Sequence, residues 1–114
     1  RGSRNVRHIC SAQIEFEFLV PEIKRIIDIA MVFPNGWIVA HEIQLAGITV
    51  GELRQRTEDY YYAGIDVVWW LGKSADTPAN RNWCISQFGF TLSLNYEMLN
   101  QYTNNSHVPA MARN

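Results

Sequence analysis

The chain has 114 residues, 47% of them hydrophobic, with a net charge of −1 and two cysteines. These values suit one domain with one core, and they exclude a global basic field that would draw the chain to nucleic acid and any apolar run of membrane-spanning length. Cys10 and Cys84 lie far apart with no C-x-x-C spacing, so neither a disulfide framework nor a structural zinc site is expected, and free thiols fit a cytoplasmic location.

Residues 1–8 are basic and polar, with Arg1, Arg4 and Arg7, and residues 1–12 read as an arm. Residues 13–20 (QIEFEFLV) alternate with period two. Ile14, Phe16 and Phe18 share one face and Gln13, Glu15 and Glu17 the other, which predicts a half-buried strand with the apolar side inward. Pro21 ends it. Residues 25–33 and 37–45 then read as the arms of a β-hairpin around Pro34, Asn35 and Gly36. Proline presets the first turn position, asparagine tolerates the second, and glycine takes the left-handed position after it. Phe33 closes the loop against Trp37, and counting back along both arms sets Asp28 opposite Glu42. Opposed residues share a face, with Cβ atoms about 4.5–5.5 Å apart. Gln44 joins them by alternation. A two-residue loop would slip the pairing by one and turn Asp28 away.

A helix follows over residues 50–63. Thr49 is its N-cap, Glu52 completes a capping box, Ile48 and Leu53 form a hydrophobic staple, and Gly64 fits the left-handed stop. Residues 66–71 (DVVWWL) read as a buried strand, parallel to 37–45 through a right-handed crossover. Thr77 and Pro78 mark the start of a helix over 78–88, with Gly89 as its stop and Trp83 and Phe88 as core contacts. Residues 93–102 are read as a last helix, with a strand as the alternative, and the polar tail from 103 as disordered. With no repeats or linker, one domain is expected over residues 1–114.

Two carboxylates and an amide on one sheet face are what a hard divalent cation and a phosphodiester need. A solvated strand face would also carry polar residues. Ile26, Ala30 and Ala40 share this face, however, so Asp28, Glu42 and Gln44 form a polar cluster within a partly apolar surface. Glu15 or Glu17 is a further acidic candidate from the first strand. Arg25 and Arg56 are candidate cations, and Tyr60 stands one helical turn from Arg56. His41 points away from Glu42 and reads as a hydrogen-bonded histidine. Trp69 and Trp70 read as core first and as a base-stacking platform second.

The order strand, strand with Asp, strand with E-x-Q, helix, strand carries a resemblance. D-I-A at 28–30, H-E-I-Q-L at 41–45, E-L-R-Q-R-T-E-D-Y at 52–60 and V-V-W-W-L at 67–71 resemble the PD-(D/E)xK nuclease superfamily. More narrowly, they are similar to the competence protein CoiA-like nuclease domains, over roughly residues 14–72. The resemblance implies an α/β, restriction-endonuclease-like core: a mixed central β-sheet with a β-hairpin, a βαβ crossover and flanking helices. It implies a metal-dependent deoxyribonuclease acting on DNA, with Mg²⁺ or Mn²⁺ on Asp28 and Glu42. Gln44 stands where many members have lysine, and Arg56 and Tyr60 match helix positions that face or support the site. The chain departs from the pattern at Ile26, where arginine is usual and Arg25 is one residue off, and at Leu45-Ala46, where serine usually follows. The family's opening helix would precede residue 13, so it lies upstream or is trimmed. The alternative is an inactive nuclease-like module for nucleic-acid binding or protein interaction. Surface left by an absent helix would favour a homodimer, and no membrane partner is expected.

Overall fold

The strands β1 (Gln13–Val20), β2 (Arg25–Val32), β3 (Ile38–Gln44), β4 (Asp66–Leu71) and β5 (Leu92–Ser93) form one five-stranded sheet in that order. Helix α1 (Val50–Tyr62) lies between β3 and β4 in the chain, and α2 (Pro78–Phe88) between β4 and β5. The structure is a computed structural model that describes residues 11–95. The expectations for residues 1–10 and 96–114, which include most of the arm, the tail and all but the start of the last predicted element, lie outside it. β1, β2 and β3 pair antiparallel and β4 pairs with β5 in parallel, so the sheet is mixed and the α/β class is as expected. No helix among the described residues is long and apolar enough to cross a membrane.

The chain divides into two compact units, drawn from Arg1–Glu42 with Gln55–Val68 and from Ile43–Arg54 with Trp69–Asn114. In the first, the hairpin forms through the expected loop. Phe33 N–H donates to Trp37 O at 2.8 Å and Gly36 N–H to Phe33 O at 2.9 Å, with Gly36 at φ 89°. Val32↔Ile38, Met31↔Val39, Ala30↔Ala40 and Ile29↔His41 are the pairs that loop dictates. Ala30 and Ala40 are fully buried on the face that alternation also gives to Asp28 and Glu42, but Ile26, expected on that face, is 59% exposed at the start of β2, and Ile27 on the opposite face is fully buried.

β1 corrects one expectation. It spans Gln13–Val20 as predicted, but Ile14 and Phe16 are each 49% exposed. They pair with Met31 and Ile29, on the side opposite Ala30, whereas Glu15 pairs with Ala30 and is half-buried. Alternation tells which side chains share a face, not which face is covered. β1 is also the edge strand, and its ladder with β2 skips the position where Glu17 faces Asp28. Glu17 sits there at φ 50°, a left-handed conformation that costs a non-glycine residue about 1–3 kcal/mol.

The ends of α1 follow the sequence signals. In the second unit, Glu52 N–H donates to Thr49 Oγ1 and Thr49 N–H to Glu52 Oε1, both at 3.1 Å, closing the capping box. In the first unit, Gly64 at φ 77° donates to Tyr61 O at 2.9 Å and Ile65 N–H to Tyr60 O at 2.8 Å, the two bonds of a Schellman motif.

The second unit buries Leu53, Trp69, Leu71, Ala75 and Cys84. Helix α2 begins as expected, with Thr77 accepting from Asn80 N–H and Pro78 in the first turn, and ends at Gly89 with φ 86°. Its buried residues are Asn80 and Cys84. Trp83 and Phe88, expected in the core, are half-buried and meet edge to face at 5.6 Å. Cys84 is a free thiol. The expected start of a last helix at Ser93 is instead the end of β5, aligned in parallel with Leu71.

Asn80 is 1% exposed, and its Nδ2 donates to Ile48 O and Ala75 O, each at 2.8 Å. Asn80→Ala removes both bonds; Ala75 O keeps its bond from Thr77 N–H at 2.9 Å, and the half-buried Ile48 O loses the Asn80 donor. Urea unfolding is expected to show a loss of about 2 kcal/mol.

Candidate active site

Glu42 is a carboxylate buried in the sheet, with 6% of its surface exposed. The β2–β3 pairing runs up to Ile29↔His41, and at the next position the Glu42 side chain takes up the neighbouring backbone donor. Asp28 N–H donates to Glu42 Oε2 at 2.9 Å. The other oxygen, Oε1, accepts from the Tyr60 hydroxyl at 2.7 Å. Tyr60 lies in the last turn of α1 and is fully buried. Hairpin register thus supplies one donor and the helix end the other.

Burial pushes the Glu42 carboxyl up to about 6. The bonds from Asp28 and Tyr60 pull it back, the Asp28 charge raises it, and the Arg56 charge lowers it. At neutral pH it is therefore mostly ionised. The Tyr60 phenol is held far above its usual range by burial and by the adjacent Glu42, so it donates its proton to Glu42 and does not release it.

Of the predicted site residues, Asp28, Glu42 and Tyr60 come together. Arg25 is committed elsewhere: its Nε at 3.0 Å and Nη2 at 2.8 Å both donate to Asp59 Oδ2. Asp59 Oδ1 accepts from Gln55 Nε2 at 3.0 Å. Arg25 first, and then Gln55, hold the Asp59 carboxyl below its ordinary range. Arg25 thus ties β2 to α1 as a support. Arg56 is half-buried on α1, four residues before Tyr60. Glu15 and Glu17 form no third corner: among the described residues no group of three or more His, Cys, Asp or Glu is placed to hold a metal ion. Gln44 belongs to the second unit, two residues beyond Glu42 on β3, and its Nε2 donates to Ala46 O at 2.9 Å. His41 turns away as expected, with Nε2 3.0 Å from Met31 Sδ, and burial lowers its pKa. Sequence reasoning missed Asp59 as the partner of Arg25, because nothing local links residues 34 positions apart.

A hydrogen-bonded carboxylate thus stands beside a second acid on one hairpin of the sheet. The profile of the competence protein CoiA nuclease-like domain matches residues 7–109. The chain belongs to that family, as the resemblance in its motifs implied. A comparison with curated proteins gives no match. Among solved structures, the chain is similar to a repair endonuclease from Pyrococcus abyssi at 18% identity and a TM-score of 0.42, over 79% of this chain and 40% of the other. The chain therefore spans less than half the length of that protein.

Two measurements test the site. The folded protein holds the Glu42 proton more tightly than the unfolded chain, so stability is lost as pH rises from the ordinary 4.5 through about 6, by about 2 kcal/mol in total. Urea unfolding in EDTA at pH 4.5 and 7.5 is expected to show this loss in the parent relative to Glu42→Gln. His41, whose lowered pKa acts in the opposite direction, cancels in that comparison. Tyr60→Phe keeps the ring and removes the donor to a buried charge. It is expected to destabilise the protein at pH 7.5 by about 1.5–3 kcal/mol, and by less at pH 4.5, where Glu42 is mostly protonated.

Proposed function

We propose that this nuclease-like domain is a metal-dependent deoxyribonuclease that hydrolyses phosphodiester bonds at Asp28 and Glu42. The observation that carries the reading is the Glu42 carboxylate, kept ionisable inside the sheet by the Asp28 amide and the Tyr60 hydroxyl. A buried acid is costly. One held at fixed geometry beside a second acid is what a reaction centre requires and what a sheet face does not.

The donor set fits Mg²⁺ or Mn²⁺. Both side chains offer oxygen only, and each Glu42 oxygen has lone-pair capacity beyond the bond it accepts, from Tyr60 at 2.7 Å and from the Asp28 amide at 2.9 Å. Magnesium is commonly held by one or two carboxylates while keeping several waters, so a pair suffices. Asp28 and Glu42 would hold the ion. When bound, it supplies Lewis-acid polarisation of the phosphoryl oxygen and a water activated near neutral pH. Tyr60 and the Asp28 amide fix the Glu42 carboxylate, so little side-chain freedom is lost when the substrate complex forms. Arg25, through Asp59, holds α1 and with it Tyr60. Gln44 carries a neutral amide and cannot offset the charge that builds on the phosphoryl oxygens.

One observation favours the second reading, an inactive nuclease-like binding module. Both Glu42 oxygens already accept hydrogen bonds, as they would in a purely structural carboxylate. Cleavage separates the two. Plasmid and single-stranded DNA, incubated with Mg²⁺ or Mn²⁺ and separately with EDTA, are expected to be cut only with metal. Asp28→Ala and Glu42→Gln, folded by circular dichroism, are each expected to lose cutting by at least about 10². A folded parent that leaves DNA intact under all conditions would support the binding module.

A further inference from the structure

We infer that Arg56 is the catalytic cation of this site, contacting the phosphate whose bond is broken. The inference rests on the nuclease reading above. Phosphodiester hydrolysis builds negative charge on the non-bridging oxygens, and a preorganised cation there lowers the barrier. Glu42 and Asp28 are themselves acidic, so that charge has to come from another side chain.

Among the described residues of the first unit, the lysines and arginines are Lys24, Arg25 and Arg56. Lys24 is exposed at the left-handed position that closes the turn between β1 and β2. Arg25 places its Nε and Nη2 on Asp59, at the Asp59 side of α1. Arg56 stands on the side of α1 that carries Tyr60. It precedes Tyr60 by four residues on α1, and residues at that spacing lie one above the other on the same helix face. That face meets the site, because the Tyr60 hydroxyl touches Glu42 at 2.7 Å. The Arg56 charge acts on the Glu42 carboxylate itself. Half-burial limits the water that would screen it, and a planar guanidinium can meet two phosphate oxygens at once. The helix that fixes Glu42 through Tyr60 therefore also presents the cation.

The test uses the full chain and three observables: Mn²⁺ affinity by calorimetry without DNA, salt dependence of duplex binding in EDTA, and single-turnover cleavage with Mn²⁺. Arg56→Gln is expected to bind Mn²⁺ no more weakly than the parent. Its log–log salt slope should fall by about 0.9, the loss of one phosphate contact, and its cleavage by about 10²–10³. Arg56→Lys should keep the slope and recover part of the rate. Lys24→Gln, outside the site, should leave cleavage unchanged. Arg56→Met, which keeps the aliphatic stem, replaces the glutamine variant if circular dichroism shows the latter unfolded. A parent that cuts DNA, together with an uncharged variant of unchanged slope and rate, overturns the role of Arg56 and leaves the nuclease reading standing. Loss of Mn²⁺ binding together with cleavage also overturns it, by making Arg56 a support for the carboxylates. A folded parent that neither binds nor cuts DNA overturns both readings.

Discussion

A carboxylate inside a sheet is unstable unless something meets its oxygens. Removing an ion from water costs several kcal/mol even after relaxation. At Glu42 the cost is partly offset by two donors from different parts of the chain, an amide of β2 and a phenol of α1. The remainder is visible as a carboxyl raised to about 6, which corresponds to about 2 kcal/mol of unrecovered penalty. Other features of the first unit serve these contacts. The loop sets the register that brings Asp28 beside Glu42. The helix stop places Tyr60, and Arg25 clamps the helix through Asp59.

Sequence showed this arrangement where local chemistry fixed geometry. Pro34, Asn35 and Gly36 admit few turns, and once the loop length is set the register follows, as seen from Val32↔Ile38 to Ile29↔His41. Thr49 with Glu52 and Thr77 with Pro78 marked helix starts because capping is decided within four residues. The failures have a different physical origin. Which face of β1 is covered depends on packing that a single strand cannot encode, so Ile14 and Phe16 were placed on the wrong side of the burial boundary. Arg25 had several acidic partners available, and only the tertiary path of α1 selects Asp59. Trp83 and Phe88 have the composition of core residues, yet the inward positions of α2 go to Asn80 and Cys84. A short buried amide that joins two carbonyls is invisible to hydrophobic patterning.

The site was legible as a set and not as a network. Period-two counting grouped Asp28 with Glu42, and helical spacing grouped Arg56 with Tyr60. Neither rule could show that the Tyr60 hydroxyl reaches Glu42, since that contact joins two periodicities across a chain reversal. Consecutive residues of α1 divide the work: Asp59 meets β2, Tyr60 meets β3, and Arg56 lies one turn earlier on the Tyr60 face. Successive helical side chains point about 100° apart, so one helix end can serve two strands.

Helix termini are the first parts of a fold to open, and Tyr60 sits in the final turn of α1. Its carbonyl is the acceptor of the Ile65 amide, so the same residue closes the helix with its backbone and holds the acid with its side chain. Any excursion that unravels this turn also releases Glu42. The amide protons of Gly64 and Ile65, far from both acids in sequence, should therefore exchange with deuterium at a rate that tracks how often the Tyr60–Glu42 contact is broken. Order at the site is thus coupled to the breathing of a glycine-terminated helix.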